Sequence, residues 1–365
     1  MVKVTGLEGV VAADTEIGLV DGEQGHLIYR GFWAKDLAVS RSFEEVAYLL
    51  WFRKLPGEEE LRTFTQKWRS LRALPVSIRS VLELLPASVP MMSILQTALA
   101  AMSDDDLVWP PTTEQAMRLT AVVPTLIAAR YRLLNGLPVV EPDENLDHAA
   151  NYLHMLFGRT PDPAHVKALN AYLILGMEHG MNASTFAGRV VASTQSDLAS
   201  SLSAAVGAMK GPLHGGAPSE VLVMLDAIGE KANAEPWLRG VLEKGGRLMG
   251  FGHRIYKTKD PRAEALRQVT EGLVSDDPWF ELAIHVEAVA QRLLEEYKPG
   301  RRLYTNVEFF AAAIMRAIAL PAELFTPTFT LARSVGWSAH LLEQAPVNRI
   351  FRPLSQYTGP MPEEG

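Results

Sequence analysis

Three histidines lie in polar or glycine-rich breaks between helix-like segments, where a side chain could reach a ligand. They are His179 in EHGMNAST, His214 in GPLHGGAP and His253 in GFGHRIYK. Glycine beside an imidazole lets a ligand approach the backbone closely and leaves room next to the ring. A loop histidine taken alone is more often bonded to backbone, so the shared setting of the three indicates a site.

His214 has the most informative setting. The segment Ala217-Pro218-Ser219-Glu220 is typical of the first turn of a helix, with proline near its start. His214 would therefore lie just before a helix N-terminus, where the helix dipole disfavours imidazolium. A neutral imidazole donates a hydrogen bond to a carbonyl without first giving up a charge, which suits stabilisation of an enol or enolate.

Glu308 is a single carboxylate between Asn306 and a long apolar run, in YTNVEFFAAAIMR. A charge at the edge of apolar surface is costly unless something requires it there. Glu308 is therefore a candidate functional acid. Its side chain is one methylene longer than that of aspartate, and this length affects where its carboxylate lies.

The loop after His253 carries concentrated positive charge in a chain whose net charge is −7. Its cationic residues are Arg254, Lys257, Lys259 and Arg262. Such a loop indicates a phosphate or carboxylate partner, although a solvated basic loop is the alternative. Asp260-Pro261 is typical of a helix N-cap followed by the first helical residue.

Two further arginines lie near the C-terminal end of the chain. Arg333, in LARSVGWSAHLLEQ, falls toward the apolar side of an amphipathic helix, and Arg352 lies in RIFRPLSQYTG. A buried arginine needs an anionic partner, and its forked donors match carboxylates. An internal salt bridge with Asp or Glu stays open as the alternative.

The elements that must position these residues are mostly helices. SFEEVAYLLWF has helical apolar spacing and begins with Ser42 and Glu45 in capping-box positions. GLVDGEQGHLIYRG predicts one small hairpin, with Asp21-Gly22 as its turn signal. Proline and glycine clusters separate the helical segments, and a division into lobes is expected near MKGPLHGG and again near Arg316.

Composition narrows the class of protein. With 365 residues and 48% hydrophobic content, the chain can bury one large core or two smaller ones. The absence of cysteine excludes disulfides and thiolate metal sites and fits a cytoplasmic setting. The acidic net charge gives no reason to expect nucleic acid, and neither a signal peptide nor a membrane span is predicted.

Taken together, these stretches resemble the citrate synthase family over nearly the whole chain. The matching segments follow the family's order: VDGEQGHLIYRG, EHGMNASTFAGRVVAST, MKGPLHGGAPSEV, GFGHRIYKTKDPRA, YTNVEF, FTPTFTLARSVGWSAHLLEQ and FRPLSQYTG. The resemblance implies an all-α homodimer with a large domain (residues 1–209 and 316–365) and a small mobile domain (residues 210–315). It implies condensation of acetyl-CoA with oxaloacetate in the tricarboxylic acid cycle, followed by hydrolysis of citryl-CoA, with no metal or other cofactor.

The resemblance also implies a role for each matching residue. His214 would stabilise the enol(ate), His253 would polarise the oxaloacetate ketone, and Glu308 would be the general base. Oxaloacetate would be bound by His179, Arg262, Arg333 and Arg352, the last reaching across from the other subunit. Coenzyme A would lie along Lys257, Leu248, Met249, Gly250, Phe251 and Gly252.

Three stretches depart from the family's pattern, one of them FFAAAIMR after Glu308, where many members carry a polar or glycine residue. The family's base is usually Asp in N-V-D, where this chain has Glu308, and many members read D-H-E where it has Glu178-His179-Gly180. Proton transfer needs its atoms about 3 Å apart, and a misplacement of about 1 Å can cost ~100-fold in rate. We therefore expect either a backbone that has retreated to accommodate Glu308 or a slow enzyme.

Three alternatives stay open. A 2-methylcitrate synthase would use propionyl-CoA, and one methylene is worth only about 1–3 kcal/mol of discrimination. A weakly active or non-catalytic paralogue would bind an acyl-CoA or a dicarboxylate without releasing CoA. A hydrolase would hold a metal ion on His214, His253 and Glu308, but the sequence contains no H-E-x-x-H pattern to support it. The sequon-like Asn182-Ala183-Ser184 is expected to have no function as a glycosylation site.

Overall fold

A computed structural model describes residues 5–7, 9–214, 217–253, 255–271 and 278–362. Helices dominate this part of the chain, so the predicted all-α class is confirmed. The helices are α1 (Ala34–Ser40), α2 (Phe43–Phe52), α3 (Glu58–Ser70), α4 (Val76–Leu84), α5 (Met91–Ala100), α6 (Thr113–Ala121), α7 (Val123–Leu134), α8 (His148–Phe157), α9 (Pro163–Gly176), α10 (Ala183–Ser193), α11 (Leu198–Met209), α12 (Ala217–Ile228), α13 (Lys231–Glu243), α14 (Pro261–Glu271), α15 (Pro278–Tyr297), α16 (Val307–Ala317) and α17 (Phe325–Gln344). Single 3-10 turns cover Thr5–Leu7, Ala322–Leu324 and Ala345–Val347.

The predicted hairpin is confirmed near the N-terminus. Strands β1 (Gly18–Asp21) and β2 (His26–Tyr29) pair antiparallel, and a short β3 (Phe32–Trp33) adds a third strand that the sequence did not predict. The Asp21 carboxylate accepts the backbone N–H groups of Glu23 at 3.0 Å and Gln24 at 2.9 Å. These bonds close the turn in the way that aspartate favours.

The predicted helix starts carry their capping residues. Ser42 Oγ accepts the N–H of Glu45 at 3.2 Å, and the Glu45 carboxylate accepts the N–H of Ser42 at 2.8 Å. This is the reciprocal capping box expected of α2. At the start of α14, Asp260 accepts the N–H of Arg262 at 3.0 Å, as expected of the residue before Pro261.

Helix α17 lies in the middle of the core. It contacts α2, α5, α6, α7, α9, α10 and α11. Its buried residues cover all faces of the helix and include polar ones, among them Arg333 and His340. A helix surrounded in this way is core structure rather than surface, and polar groups on it need partners or a cavity.

Helices α12, α13, α15 and α16 pack mainly on one another, through the pairs α12–α16, α13–α15 and α15–α16, and α14 joins them through α16. They meet the remaining helices where α14 contacts α1 and α9, and where α16 contacts α9. The boundaries predicted for the small domain stay a prediction. Within the described ranges, no helix combines the length and the apolar character of a membrane span.

Candidate active site

One cavity of about 460 Å³ brings together most of the residues that the sequence singled out. Its walls come from α9, α10, α14, α16 and α17 and from the loops between helices. The predicted site residues that line it are His179, His214, Gly252, His253, Arg262, Glu308 and Arg333. The three histidine loops, distant along the chain, therefore meet at one place.

His214 is held from one side by a serine. Its Nε2 lies 2.8 Å from Ser184 Oγ, which also accepts the indole N–H of Trp337 at 3.1 Å. Ser184 Oγ in turn lies 2.7 Å from Oδ1 of Asn182, the N-cap of α10. Helix α12 begins soon after His214, as predicted. Burial, and then the charge of Arg333, lower the pKa of His214, so its imidazole is neutral at pH 7.

His253 is fixed by the backbone of its own loop. Its Nδ1 accepts the N–H groups of Ile255 and Tyr256, each at 3.1 Å. A neutral ring that accepts at Nδ1 carries its proton on Nε2. Nη2 of Arg262 lies 3.2 Å from that Nε2. Burial, and then the nearby Arg262, lower the pKa of His253 to about 4.

Tyr256 joins the His179 and His253 loops. Its hydroxyl lies 3.2 Å from Nε2 of His179, and its ring centroid lies 4.9 Å from that of His253. The two histidine rings are 6.1 Å apart. Burial, and then Arg262, hold the pKa of His179 well below its usual value, so all three imidazoles are neutral donors or acceptors at pH 7.

Arg262 already has a carboxylate partner inside the protein. Asp260 Oδ2 lies 2.9 Å from Nη2 of Arg262, and Asp260 Oδ1 lies 3.1 Å from its Nε. Asp260 Oδ2 also accepts the N–H of Val307 at 3.0 Å, the first residue of α16. Asp260 therefore fixes both a cation of the cavity and the start of the helix that carries Glu308. Arg262 is thus buried in an internal salt bridge rather than solvated, and it also lines the cavity.

Arg333 is buried on α17, with 1% of its surface exposed. Its Nε donates to the carbonyl of Gly176 at 2.7 Å, and its guanidinium lies 4.8 Å from the ring centroid of Phe329. Among the described residues, no carboxylate comes within 4.0 Å of it. Burial lowers the pKa of Arg333. Its remaining donors are available to an anionic ligand in the cavity.

Glu308 is the second residue of α16 and is half-buried against the cavity. Asn306, the N-cap, accepts the N–H of Glu308 at 3.1 Å. The same Asn306 donates its own N–H to Gly250 O at 2.9 Å and its Nδ2 to Gly252 O at 2.8 Å. Burial raises the pKa of Glu308; the charge of Arg262 opposes that rise and Asp260 adds to it.

Other predicted residues lie elsewhere. Arg352 is exposed on the extended C-terminal segment and does not line the cavity of this chain. Of the residues expected along CoA, Gly252 alone lines the cavity, Leu248 and Gly250 are buried, and Lys257 is exposed. The charged side chains of the basic loop do not share one cavity. Lys259 lines a separate cavity of about 410 Å³, and Arg254 lies outside the described residues.

Two residues that contact the site histidines, Ser184 and Tyr256, were not predicted from the sequence. Ser184 belongs to the segment dismissed as an irrelevant sequon, yet it contacts His214. Its signal was its position in the first turn after the capping Asn182, where a short polar side chain faces the preceding loop. Tyr256 gave no signal beyond lying three residues after His253. Within the described ranges, no group of three or more His, Asp or Glu is arranged to hold a metal ion.

Comparison with known proteins matches the chain to one family. The family model described as "Citrate synthase, C-terminal domain" matches residues 6–354. The citrate synthase of Synechocystis is 42% identical over 366 residues, which cover 97% of this chain and 90% of that protein. The 2-methylcitrate synthase of Mycobacterium tuberculosis strain H37Rv is 40% identical over 363 residues, which cover 97% of this chain and 90% of that protein.

A solved structure extends the likeness to the fold. It is the ternary complex of carboxymethyl coenzyme A and oxaloacetate with citrate synthase from the archaeon Thermoplasma acidophilum. The two chains superpose with a TM-score of 0.88 at 31% identity, covering 98% of this chain and 97% of that one. The family match over nearly the whole chain and the likeness in fold show that the chain belongs to the citrate synthase family of transferase enzymes.

Proposed function

We propose that this protein condenses acetyl-CoA with oxaloacetate and hydrolyses the resulting citryl-CoA to citrate and free CoA. The supporting observation is the convergence of Glu308, His214, His253 and Arg333 on one cavity of about 460 Å³. A base, two neutral imidazoles and an arginine with available donors are the groups that enolisation and attack on a keto acid require.

In the first step, the Glu308 carboxylate takes a proton from the α-carbon of the acyl group, and His214 donates a hydrogen bond to the thioester oxygen. Donation from Nδ1 requires an unprotonated Nε2. In this structure the one hydroxyl proton of Ser184 is donated to Oδ1 of Asn182, so Nε2 of His214 is the donor to Ser184 Oγ. Binding of the thioester would therefore have to turn the Ser184 proton to Nε2 and move the ring proton to Nδ1. The lowered pKa of His214 keeps this imidazole neutral, so no charge has to be removed first.

In the second step, the enol(ate) carbon attacks the ketone carbon of oxaloacetate, and His253 gives its Nε2 proton to the ketone oxygen, which becomes a hydroxyl. The backbone N–H groups on Nδ1 fix the required tautomer. Arg262 and Arg333 would bind the oxaloacetate carboxylates, with His179 as a further donor. Water then attacks the thioester carbonyl carbon and the C–S bond breaks: the hydroxyl of the water stays on the new carboxyl group, its other proton goes to the CoA thiol that leaves, and the proton that Glu308 took restores Nε2 of His253.

The domain movement and the dimer belong to the same proposal. Residues 210–315 would close over bound oxaloacetate and complete the acyl-CoA site, with Lys257 and residues 248–252 along the coenzyme. Arg352 would enter the cavity of a second copy. In support, the segment that carries Arg352 also exposes apolar side chains, among them Leu354 at 80% and Tyr357 at 68%.

The test is release of free thiol from acetyl-CoA and, separately, from propionyl-CoA, each with oxaloacetate. Because the protein contains no cysteine, a thiol reagent reports CoA alone. Thiol release that needs both substrates supports the proposal. Binding of either substrate without thiol release would leave a non-catalytic acyl-CoA or dicarboxylate-binding protein instead.

The second candidate is 2-methylcitrate synthase. The matched 2-methylcitrate synthase and citrate synthase have similar identities to this chain, 40% and 42%. The cavity wall beyond Glu308 is also apolar, formed by Ala311, Phe325 and Phe329. A kcat/KM for propionyl-CoA above that for acetyl-CoA would establish this candidate in place of the first.

A further inference from the structure

The turn between β1 and β2 lies directly against the loop that follows His253. Gly22 O accepts the backbone N–H of Lys257 at 2.8 Å. A Cβ added at Gly22 would come within 2.2 Å of Ile255 O, and one added at Gly25 would come within 2.6 Å of Thr258 Cγ2. The hairpin turn and residues 255–259 therefore meet backbone to backbone, at a distance that only glycine allows.

The other end of the hairpin is anchored beneath His179. The Tyr29 hydroxyl lies 2.9 Å from the carbonyl oxygen of Glu178 and 3.3 Å from its N–H. The Gly18 backbone lies against the same residue, because a Cβ there would come within 3.1 Å of Glu178 Cγ. Tyr29 is fully buried, so this end of the hairpin belongs to the core.

The hairpin thus connects the His179 segment to the loop that holds His253. Ile255 and Tyr256 donate their N–H groups to Nδ1 of His253. The same stretch meets Gly22 through the carbonyl of Ile255 and the N–H of Lys257. Moving the Ile255 peptide away from Gly22 would also move or break the bonds to Nδ1 of His253. By contrast, Arg262 is fixed independently by Asp260, beyond the loop.

We propose that the β1–β2 turn is a positioning element for the reaction: it sets the place of residues 255–259 and, through them, the orientation of His253. No catalytic role is assigned to the turn itself. The inference rests on the proposed function, because it takes His253 as the acid of the condensation. The contact also crosses the predicted division between residues 1–209 and 210–315.

Gly22→Ala is the sharpest test. Gly22 does not have a left-handed φ, so alanine is acceptable to the backbone. The substitution therefore acts only through the collision of the new Cβ with Ile255. Ordinary contact begins near 3.4 Å, so the loop has to retreat by about 1 Å, and a shift of that size can lower kcat ~100-fold. The KM for oxaloacetate should stay within about threefold, since Arg262 and Arg333 are unaffected.

Gly240→Ala is the matched control. Gly240 lies inside α13 with nothing within 4 Å of an added Cβ and no left-handed φ. This variant should keep the wild-type kcat. A second measurement is amide hydrogen exchange, in which Lys257 N–H should lose protection in Gly22→Ala while the helices of the core keep theirs.

The possible results of these measurements distinguish a positioning role of the turn from a merely structural one. A fall in kcat with an unchanged oxaloacetate KM, a Tm within about 3 °C of wild type and faster exchange at Lys257 supports the positioning role. Wild-type kcat in Gly22→Ala overturns it. So does a fall in kcat accompanied by a lower Tm and faster exchange throughout, which would make the turn merely structural. Absence of thiol release from the wild type would instead remove the proposed function.

Discussion

Two groups of buried polar residues lie along α17, and they use the same side-chain types differently. The inner cluster consists of Glu178, Arg189, His340 and Gln344. The cavity cluster consists of His179, His214, His253, Arg262, Glu308 and Arg333. Arg333 and His340 are about two turns apart on one helix, yet the first faces a cavity and the second is enclosed by protein.

In the inner cluster, the polar groups bind one another. His340 Nε2 lies 3.1 Å from Glu178 Oε2, and its Nδ1 lies 2.9 Å from Nη1 of Arg189. Arg189 Nε donates to Gln344 Oε1 at 2.8 Å. The neighbouring His340 and Arg333 lower the pKa of Glu178 although burial acts to raise it. Such a cluster fixes one packing arrangement and leaves nothing for a ligand.

In the cavity cluster, hydrogen-bonding capacity is left over. Arg333 uses one donor on a backbone carbonyl, and the three histidines are neutral, with a ring nitrogen of each engaged by protein. Burial raises the pKa of Glu308 and therefore makes it a stronger base than an exposed carboxylate. The difference shows that a site is marked by hydrogen-bond donors and acceptors that face a cavity without a protein partner, rather than by buried charge as such.

Apart from substitution of Glu308, the largest fall in kcat is expected from His214→Ala in the cavity cluster. Loss of the donor to the thioester oxygen should lower kcat by about 100- to 1000-fold, while the KM for oxaloacetate changes little. Steady-state thiol release with each substrate varied measures both. Equal losses in kcat and oxaloacetate affinity would move His214 from catalysis to binding.

Arg333→Met should come next. Removing the charged donors is expected to raise the KM for oxaloacetate by about 100-fold. The Tm should be kept or raised, because the substitution removes a buried cation that has no carboxylate within 4.0 Å in the described part of the chain. A marked loss of Tm with an unchanged KM would place Arg333 with the inner cluster.

The opposite pattern is expected of His340→Ala in the inner cluster. It leaves the Glu178 carboxylate buried without its main partner, which should lower the free energy of unfolding by about 3 kcal/mol. Urea unfolding measures that loss, and the half-buried His165→Ala serves as the control. Folded enzyme should keep a kcat near that of the wild type. A fall in kcat with unchanged stability would contradict the division into two clusters.

The smallest effect is expected on the pH dependence of folding stability. His253 has a folded pKa of about 4 against 6.5 for an ordinary histidine, so below pH 6.5 the unfolded chain binds protons that the folded chain does not. Stability should therefore fall as the pH falls from 6.5 toward about 4, and fall less in His253→Asn. Thermal unfolding across this range checks the difference. Identical curves for the two proteins would show that burial does not hold His253 neutral.

Much of this site could be predicted from sequence because its residues lie at helix ends. Glycine, proline and capping residues mark such ends, and they placed His214 before α12 and Asp260 before α14. The helical class and the hairpin followed from apolar spacing and turn residues.

The remaining features depend on contacts between distant segments, which no local pattern records. Tyr256 meets His179 and Ser184 meets His214 only after folding. The basic residues of one loop also look alike in sequence, yet Lys259 and Arg262 line different cavities. Arg352 lies outside the cavity of its own chain, and its predicted partner is a second copy.

The most direct test of the account is thiol release from acetyl-CoA and oxaloacetate by the wild type, Glu308→Gln and Glu308→Asp, with oxaloacetate binding measured on each. The account predicts that Gln lowers kcat by about 1000-fold while oxaloacetate affinity stays within about threefold, because the arginines are untouched. It also predicts that Asp is slower than the wild type, since Asp260 and Asn306 fix the start of α16 around the longer acid. Normal turnover by Glu308→Gln, or faster turnover by Glu308→Asp, would contradict it.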